Sequence, residues 1–354
     1  MIPRGYRFIV VTIGVTLVWL SWLTNGFADI ESILSATVLC TLLTIWVAFL
    51  SWRRPPHLSV SGKAVFITGC DSGFGHLTAK RLSSLDCLVF AACLNPCEGG
   101  AKELQYTENI HVIKCDVTKE SDVTAAKEFI ESNLGDKDLW AVVNNAGVAV
   151  FSPLEWTPAS EFERMMSVNV MGVVRVTKTF LPMLRKSRGR VINVASLAGR
   201  FNLPLYCAYA MSKSACIAFS DCLRREMAAF EVMVSTVEPT LYSTNLTAVD
   251  RVTQEATTHW NNSPHEIQQA YGQVYFDHFI KRTIRKVLSR SLPNPNEVVD
   301  EMMDAVCSER PKSRYVPNLR VRLKVFVLSH LPDRWLDKIF HLGGENIIAS
   351  SYKH

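Results

Sequence analysis

At positions 64–75 the chain carries the sequence AVFITGCDSGFG, an apolar run that ends in a glycine-rich turn. A helical pattern follows from about His76 to Leu85. In a strand–turn–helix unit, the first glycine permits a tight turn, the second lets backbone N–H groups approach a pyrophosphate, and the third allows close helix packing. The stretch therefore predicts a dinucleotide-binding turn. Its candidate residues are Thr68, Gly69, Asp71, Ser72, Gly73, Phe74 and Gly75.

The same alternation of apolar runs and helical patterns continues along the chain. Further strands are predicted at residues 87–94, 111–115, 139–143, 190–194 and 232–237. Helical patterns fall at residues 118–134, 162–184 and 209–230. Apolar strands that alternate with helices indicate an α/β fold, a doubly wound, Rossmann-like parallel sheet with helices on both faces. Residues 241–310 break this rhythm, and an insertion beyond the carboxyl end of a strand is expected to cap a substrate site.

Composition excludes several classes of protein. The 354 residues carry a net charge of only +5, with dispersed basic residues, so no nucleic-acid partner is expected. The ten cysteines form no CxxC pair, which argues against a disulfide scaffold and against a metal site, and favours a reducing compartment.

The hydrophobic excess lies at the amino terminus. Residues 8–23 and 33–52 contain no charged side chain, and the second segment matches the ~30 Å of a bilayer core as a helix. Arginines precede the first segment and follow the second, at Arg4, Arg7, Arg53 and Arg54. The positive-inside rule then predicts a transmembrane hairpin with both ends cytosolic. A cleaved signal peptide ending at Ala28 is the alternative for the first segment.

A tyrosine–lysine pair is the strongest candidate for chemistry. Among the nine tyrosines, Tyr209 has a lysine four residues on, Lys213, which places both side chains on one helical face. Ionising a free phenol at pH 7 costs about 4 kcal/mol. An ammonium at ~4 Å returns roughly 4 kcal/mol at an effective dielectric of ~20. The pair can thus act as a general base, and Ser196 stands close by, just after the fifth predicted strand.

Two acidic residues, Asp116 and Asp71, enter the prediction of which dinucleotide is bound. Asp116 ends the third predicted strand, where it would either hold the adenine amino group or cap the following helix. A 2′-phosphate needs a nearby cation, but no Lys or Arg occurs from Leu82 to Ala101, and Asp71 would repel a phosphate. NAD is therefore favoured over NADP, with Asn95 or Glu98 as candidate ribose partners.

At these residues the chain resembles the short-chain dehydrogenase/reductase superfamily. The matching features are the turn at 68–75, the sequence NNAG at 144–147, Ser196, and Tyr209 with Lys213. The residues of the first two features resemble those of the membrane-bound retinol dehydrogenases and the 11β- and 17β-hydroxysteroid dehydrogenases of type 2. They resemble the insect Shroud dehydrogenase more loosely. Residues 269–272, 296–300 and 314–315 are also similar to that branch.

The resemblance implies a role for each matching residue. Tyr209 takes the proton of the substrate hydroxyl, Ser196 binds the reacting oxygen, and Lys213 supports the tyrosine and the nicotinamide ribose. Asn169 holds a water in a proton relay, and Asn144 ties the sheet together. Further cofactor contacts are implied at Asn145, Ala146, Gly147, Pro239 and Thr244.

One position departs from the family pattern. Thr240 stands where the family usually has glycine after a proline. A positive φ there would be costly for threonine, so the loop beside the cofactor is in question.

The resemblance also implies a layout and a substrate. Residues 1–54 form the anchor, residues 60–320 the dehydrogenase domain, and residues 321–354 an amphipathic segment that covers the pocket or lies on the membrane. The expected activity is hydride transfer between NAD and a lipophilic secondary alcohol, in first place a hydroxysteroid, at the endoplasmic reticulum membrane. Oxidation of the allylic alcohol retinol is the alternative. A homodimer is a further expectation, and a catalytically weak dinucleotide-binding scaffold is the alternative of another class. Aromatic side chains expected to wall the pocket are Trp260, Tyr271, Tyr275, Phe276 and Phe279, with helix packing as the alternative.

Overall fold

The computed structural model describes residues 56–284, 288–289 and 291–342, together with Val38 and Leu42. Apart from those two positions, the predicted membrane segments 8–23 and 33–52 lie outside the described residues. Within the described part of the chain, no helix combines the length and the apolar composition needed to cross a bilayer. The chain divides into two units at Pro56, and the unit that begins at His57 contains the fold below.

A parallel sheet of seven strands forms the centre of this unit, in the order β3-β2-β1-β4-β5-β6-β7. The strands are β1 (Ala64–Thr68), β2 (Leu88–Cys93), β3 (Ile110–Lys114), β4 (Leu139–Asn144), β5 (Arg190–Val194), β6 (Met233–Val237) and β7 (Arg314–Tyr315). The order reverses between β1 and β4, which is the switch point where doubly wound sheets bind ligands. The predicted Rossmann-like fold and its first six strands are confirmed.

Helices cover both faces of the sheet. They are α1 (Gly73–Ser83), α2 (Gly99–Leu104), α3 (Glu120–Asn133), α4 (Ala159–Met166), α5 (Val173–Ser187), α6 (Cys207–Glu226), α7 (Val249–Asn261), α8 (His265–Tyr271), α9 (Gln273–His278), α10 (Asn296–Cys307), α11 (Leu319–Leu328) and α12 (Asp333–Leu342).

Alternation along β1 divides the core into two layers. Val65 and Ile67 point to one face and pack with residues of α1 and α10, whereas Ala64 and Phe66 point to the other and pack with residues of α3 and α5. All five residues of β1 are buried. A strand buried on both faces must be apolar throughout, which explains the continuous run in the sequence.

The helical pattern predicted over 162–184 is interrupted in the structure. A π-helical turn, Ser167–Gly172, separates α4 from α5. Gly172 packs against Val117 so closely that a Cβ would lie 2.8 Å from a methyl carbon of Val117. The wide turn carries Asn169 into the interior, and such turns often occur at functional sites.

Candidate functional site

The glycine-rich turn fits tightly against the end of β4. Gly69 has φ +71°, and a Cβ there would come within 2.7 Å of the Cα of Ala146. The hydroxyl of Thr68 accepts hydrogen bonds from the backbone N–H groups of Asn145 and Ala146 at 3.1 and 3.0 Å. The backbone segments that follow β1 and β4 are therefore held against each other at the switch point of the sheet.

A groove of about 320 Å³ opens beside this turn, and we call it the glycine groove. It is lined by Gly69, Asp71, Ser72, Gly73, Phe74, Asn145, Ala146, Gly147, Thr244, Asn245, Leu246 and Arg251. Nine of these are predicted cofactor residues. The groove lies at the first turn of α1, where unpaired backbone N–H groups favour a negatively charged ligand. The residues present therefore fit a pyrophosphate.

Two predicted cofactor residues stand behind the groove rather than in its wall. Thr68 is buried, and its hydroxyl is used by Asn145 and Ala146. A Cβ at Gly75 would lie 2.5 Å from both the side-chain nitrogen of Asn145 and the carbonyl oxygen of Gly69. Both residues shape the turn through packing.

Asp71 lies in the groove, but its carboxylate is directed to the loop after β2. Its two oxygens accept hydrogen bonds from the backbone N–H groups of Leu94 and Asn95 at 3.0 and 2.9 Å. The acid thus holds the turn to the end of β2 and places negative charge there.

Asp116 does not line any of the cavities described here. Its carboxylate accepts hydrogen bonds from the backbone N–H and hydroxyl of Thr118, at 2.9 and 2.7 Å. Helix α3 begins at Glu120 with Lys119 as its cap, so the capping alternative for Asp116 is wrong. Burial raises the pKa of Asp116, but the hydrogen bonds from Thr118 together with the charges of Lys119 and Arg175 outweigh it, so the net shift is downward.

A second cavity, of about 90 Å³, continues the groove inward, and we call it the junction cavity. It is lined by Phe74, Asn145, Gly147, Val148, Val194, Ala195, Ser196, Tyr209, Lys213, Pro239, Thr240, Tyr242, Thr244 and Leu246. The buried ammonium of Lys213 donates to the carbonyl oxygen of Val194 at 2.9 Å and lies 5.7 Å from the ring centroid of Tyr209. No carboxylate pairs with Lys213 among the described residues, so its charge is available to the phenol.

Ser196 begins the short turn Leu197–Gly199 directly after β5. Its hydroxyl oxygen accepts a hydrogen bond from the backbone N–H of Ala198 at 3.1 Å and lies 3.4 Å from the carbonyl oxygen of Pro239. These contacts hold the side chain at the carboxyl end of the sheet, in the wall of the junction cavity.

Two asparagines predicted at the site have structural contacts. The buried amide of Asn169 bonds both backbone groups of Val148 and donates to the hydroxyl of Ser212, each at 2.9 Å. It does not line the junction cavity. Asn144 donates to Asn193 on β5 at 2.8 Å and to Thr177 on α5 at 3.0 Å, which confirms that it ties the sheet together.

A third cavity, of about 250 Å³, is mostly apolar, and we call it the apolar cavity. It is lined by Phe151, Ser196, Leu197, Ala198, Phe201, Leu203, Tyr206, Tyr209, Thr240, Leu241, Val321, Lys324, Val325 and Leu328. It shares Ser196, Tyr209 and Thr240 with the junction cavity. The side chains of one serine and one tyrosine are therefore accessible from both sides of this boundary.

The aromatic side chains of residues 260–279 do not line the apolar cavity. They surround Trp156 instead: the ring of Trp260 lies 4.6 Å from it and stacks on Phe276 at 5.1 Å. Tyr271, Tyr275 and Phe279 contact the same indole. The expected aromatic wall of this cavity is wrong, and the packing alternative holds. These side chains pack around Trp156, in a hydrophobic cluster that also contains the cavity residues Phe151 and Tyr209.

Several residues of the three cavities were not predicted from the sequence. Arg251 is a wall of the glycine groove, and Tyr206 and Phe151 are walls of the apolar cavity. The segment from residue 321 was expected to cover the pocket or lie on the membrane, and α11 lines the apolar cavity with Val321, Val325 and Leu328, which were not named individually. The apolar spacing of 321, 325 and 328 was the available signal. The backbone strain considered at Thr240 is absent, because Thr240 is not among the residues with positive φ.

Comparison with known proteins identifies the family to which the chain belongs. The short chain dehydrogenase family matches residues 63–255. The chain belongs to the short-chain dehydrogenases. It is 38% identical over 294 residues to mouse short-chain dehydrogenase/reductase family 9C member 7, covering 82% of this chain and 93% of the relative. It is 37% identical to human 17-beta-hydroxysteroid dehydrogenase type 6, covering 82% and 92%, and 35% identical to rat retinol dehydrogenase 7, covering 86% and 96%.

These relatives place this short-chain dehydrogenase in the branch of retinol and hydroxysteroid dehydrogenases, and it is an oxidoreductase that acts on alcohols. A short chain dehydrogenase from Burkholderia phymatum in complex with NAD has the same fold, with a TM-score of 0.64 at 19% identity over 79% of this chain and 96% of the other. One from Burkholderia cenocepacia in complex with NADP gives 0.60 at 20% identity, over 79% and 98%.

Proposed function

We propose that this protein oxidises a lipophilic secondary alcohol, in first place a hydroxysteroid, with NAD as the hydride acceptor. The observation that carries the proposal is the boundary between the junction cavity and the apolar cavity. Tyr209 and Ser196 line both, so an alcohol on one side and a nicotinamide on the other would meet at these two hydroxyls.

The chain's own residues supply placement and charge. Tyr209 takes the hydroxyl proton, while the hydroxyl of Ser196 donates to the reacting oxygen. The ammonium of Lys213 lies 5.7 Å from the ring centroid of Tyr209, and its positive charge favours the phenolate over the phenol. A nicotinamide held in this site would supply the acceptor for the hydride that leaves the carbinol carbon.

Asn169 has a positioning role in this proposal. Its amide fixes Val148, which is a wall of the junction cavity, and Ser212, which lies beside Lys213 on α6. A relay water would have to contact the backbone near Asn169 rather than replace one of these bonds.

The preference for NAD rests on the end of β2. The carboxylate of Asp71 is bonded to Leu94 and Asn95 there, and the sequence offers no cation from Leu82 to Ala101. A 2′-phosphate would face this acid without a compensating charge. We further propose that Arg251, the cation in the wall of the glycine groove, contacts the pyrophosphate.

The choice of a lipophilic alcohol rests on the walls of the apolar cavity. Most of its lining is aliphatic or aromatic, and few polar groups occur away from the boundary. Retinol is the second candidate, since relatives of similar identity are named for retinol and for steroids. Both candidate substrates are lipophilic, which agrees with a location at a membrane. We propose that residues 8–23 and 33–52 anchor domain 60–320 to the endoplasmic reticulum, with the domain facing the cytosol.

The test is the substitution Tyr209→Phe in the full chain, assayed by NADH formation with a hydroxysteroid and with retinol. Turnover should fall by about 10²–10⁴-fold, as expected for loss of a general base. Binding of NADH, followed by its fluorescence, should persist because the glycine groove is untouched. Tyr206→Phe is the matched control, since Tyr206 lines the apolar cavity only, and its effect should be confined to KM.

Two outcomes would reject the proposal. Wild-type turnover in the Tyr209→Phe variant would contradict the mechanism. Tight NADH binding by the wild type without oxidation of any lipophilic alcohol would favour the dinucleotide-binding scaffold.

A further inference from the structure

One buried carboxylate is the chain neighbour of residues that wall the junction cavity. Glu238 follows β6 and precedes Pro239 and Thr240, and its side chain is completely buried. Glu238 itself lines none of the three cavities. A buried charge is costly unless it is paired and hydrogen-bonded, so the partners of this carboxylate show which parts of the fold it holds together.

Four hydrogen-bond donors converge on the carboxylate of Glu238. Arg200 donates through both Nε and Nη2, the latter at 3.0 Å, which makes a bidentate ion pair. Nη1 of Arg314, on β7, donates at 3.2 Å, and the hydroxyl of Thr236 donates at 2.8 Å. Because a bidentate guanidinium–carboxylate pair fixes the angle as well as the distance, Arg200 is held rigidly against Glu238.

This ion pair links the two segments that meet beside Ser196. Arg200 directly follows the turn Leu197–Gly199, which begins after the serine. The backbone N–H of Leu197 donates to the carbonyl oxygen of Pro239 at 3.0 Å. The ion pair is therefore a second connection between the turn after β5 and the loop after β6.

Helix α6 packs closely against the same turn. A Cβ at Gly199 would lie 2.7 Å from the carbonyl carbon of Lys213. The hydroxyl of Ser214 donates to the carbonyl oxygen of Gly199 at 3.0 Å. The turn is therefore held both by the backbone of α6, the helix that carries Tyr209, and by the carboxylate of Glu238.

The separation of the turn and the loop decides where the hydroxyl proton of Ser196 is available. The serine oxygen accepts from the backbone N–H of Ala198 at 3.1 Å and lies 3.4 Å from the carbonyl oxygen of Pro239. A strong O–H···O bond has an oxygen–oxygen distance of about 2.7–2.8 Å, so this carbonyl competes weakly for the proton. A closer carbonyl would engage the proton, and a more distant loop would leave the hydroxyl without its orienting contact.

We propose that Arg200 and Glu238 are positioning residues for Ser196. Their ion pair sets the distance between the serine hydroxyl and the carbonyl of Pro239, and so keeps the hydroxyl proton free for the reacting oxygen. This inference rests on the proposed function, because it takes Ser196 as the donor to that oxygen.

The kinetic test compares the same substitution at the two arginines that bind Glu238. Arg200→Lys keeps the positive charge but loses the bidentate fork. In the full chain with a saturating hydroxysteroid, it should lower kcat about tenfold and leave NADH affinity unchanged, because a small displacement of a positioned group slows the reaction strongly.

Arg314→Lys is the matched control. It loosens contacts with two carboxylates, those of Glu238 and Asp221, but these contacts start from β7 rather than from the turn after β5. Its kcat should stay within about twofold of the wild type. A comparable fall of kcat in both variants would overturn the inference.

The Ser196→Ala background separates positioning from a general loosening of the fold. In that background, Arg200→Lys should change the residual kcat by less than about twofold, because the group that it positions has been removed. A loosened fold would lower kcat by the same factor with or without the serine hydroxyl. A tenfold loss that persists in Ser196→Ala would therefore contradict the positioning role.

Amide hydrogen exchange tests the same claim without any catalytic readout. The N–H groups of Leu197 and Ala198 are bonded to Pro239 and to the serine hydroxyl. Residues 195–201 should exchange several-fold faster in Arg200→Lys than in the wild type or in Arg314→Lys. Unchanged exchange would reject the ion pair as the clamp of this turn. If the wild type oxidises no alcohol, the proposed function fails, and the exchange result stands on its own.

A neutral pair replaces Arg200→Lys if that variant fails to fold, which loss of NADH binding would reveal. Arg200→Gln combined with Glu238→Gln removes both charges at once, so neither half of the ion pair is left buried alone. This double variant should show the same tenfold loss of kcat and the same faster exchange of residues 195–201. Wild-type kcat in the double variant would overturn the inference.

Discussion

The junction cavity shares lining residues with both the glycine groove and the apolar cavity, yet these two regions are built differently. The groove is built on the glycine-rich turn, which hydrogen bonds of about 3 Å hold to the end of β4. The apolar cavity is made of side chains from segments as far apart as Phe151 and Leu328. The groove should therefore fail abruptly when a single atom is added, whereas the cavity should change its preferences gradually.

The largest effect is expected at the turn itself. Gly69→Ala places a Cβ 2.7 Å from the Cα of Ala146, at a φ of +71°. Because backbone cannot yield cheaply there, we expect several kcal/mol of destabilisation and loss of NADH binding. Denaturant unfolding and NADH fluorescence would measure both.

Gly62 provides a matched control for that substitution. It has φ +72°, but a Cβ there would contact nothing within 4 Å. Gly62→Ala should cost only the backbone strain, about 1–2 kcal/mol. Equal losses for the two variants would show that tight packing of the groove is unimportant.

A substitution in the wall of the apolar cavity should have a smaller effect, because it changes only the volume available to the substrate. Val325→Phe adds volume to the inner face of α11, so KM for a hydroxysteroid should rise roughly tenfold, equivalent to about 1.4 kcal/mol. NADH affinity should be unchanged, because Val325 does not line the glycine groove. Val327→Phe, on the outer face of the same helix, is the control. A loss of NADH affinity in Val325→Phe would mean that the two regions are not independent.

A smaller effect should follow removal of the one long cationic side chain in the groove wall. Arg251 donates to the backbone carbonyl of Asn245 at 3.2 Å and lies 3.6 Å from Glu255. Arg251→Gln should weaken ADP-ribose about threefold to tenfold, as expected for one charge-assisted contact. Adenosine, which has no phosphate, should bind as before, and calorimetry would measure both.

Arg164 offers the comparison for this variant, because it also pairs with Glu255 but does not line the groove. Arg164→Gln should leave the affinity for ADP-ribose intact. If both substitutions weaken it equally, Arg251 acts through Glu255 and packing rather than on phosphate.

The smallest effect concerns the choice of dinucleotide. Asn95→Arg adds a cation at the end of β2, beside the carboxylate of Asp71. NADP affinity should rise a few-fold relative to NAD, since an exposed ion pair contributes only about 0.2–1 kcal/mol. Competitive displacement of NADH by each dinucleotide would give the ratio. A fall in that ratio would contradict the proposed place of the 2′-phosphate.

Prediction from sequence succeeded where a local pattern sufficed. The bounds of β1 and β5 follow directly from the apolar runs Ala64–Thr68 and Arg190–Val194. The juxtaposition of Tyr209 and Lys213 follows from their spacing on one helix, and Ser196 lies close to them in the wall of the junction cavity. The strand Arg314–Tyr315 was missed as a strand, because two residues carry no periodic signal.

Elsewhere, tertiary packing decided between alternatives that the sequence left open. The aromatic residues from Trp260 to Phe279 could face a pocket or each other, and only the position of Trp156 made them a cluster. In the same way, α11 closes the apolar cavity because Asn318 and Glu297 meet across a gap of 21 positions in the chain.

The sequence by itself determined the sheet, its glycine turn and the spacing of the tyrosine–lysine pair, because each of these depends on residues within a few positions of one another. Only the tertiary structure decided which side chains wall the cavities, how Asp71 is used and which face of α11 remains exposed. Those features depend on contacts between segments that are distant in the chain, and a local pattern of hydrophobicity carries no information about such partners.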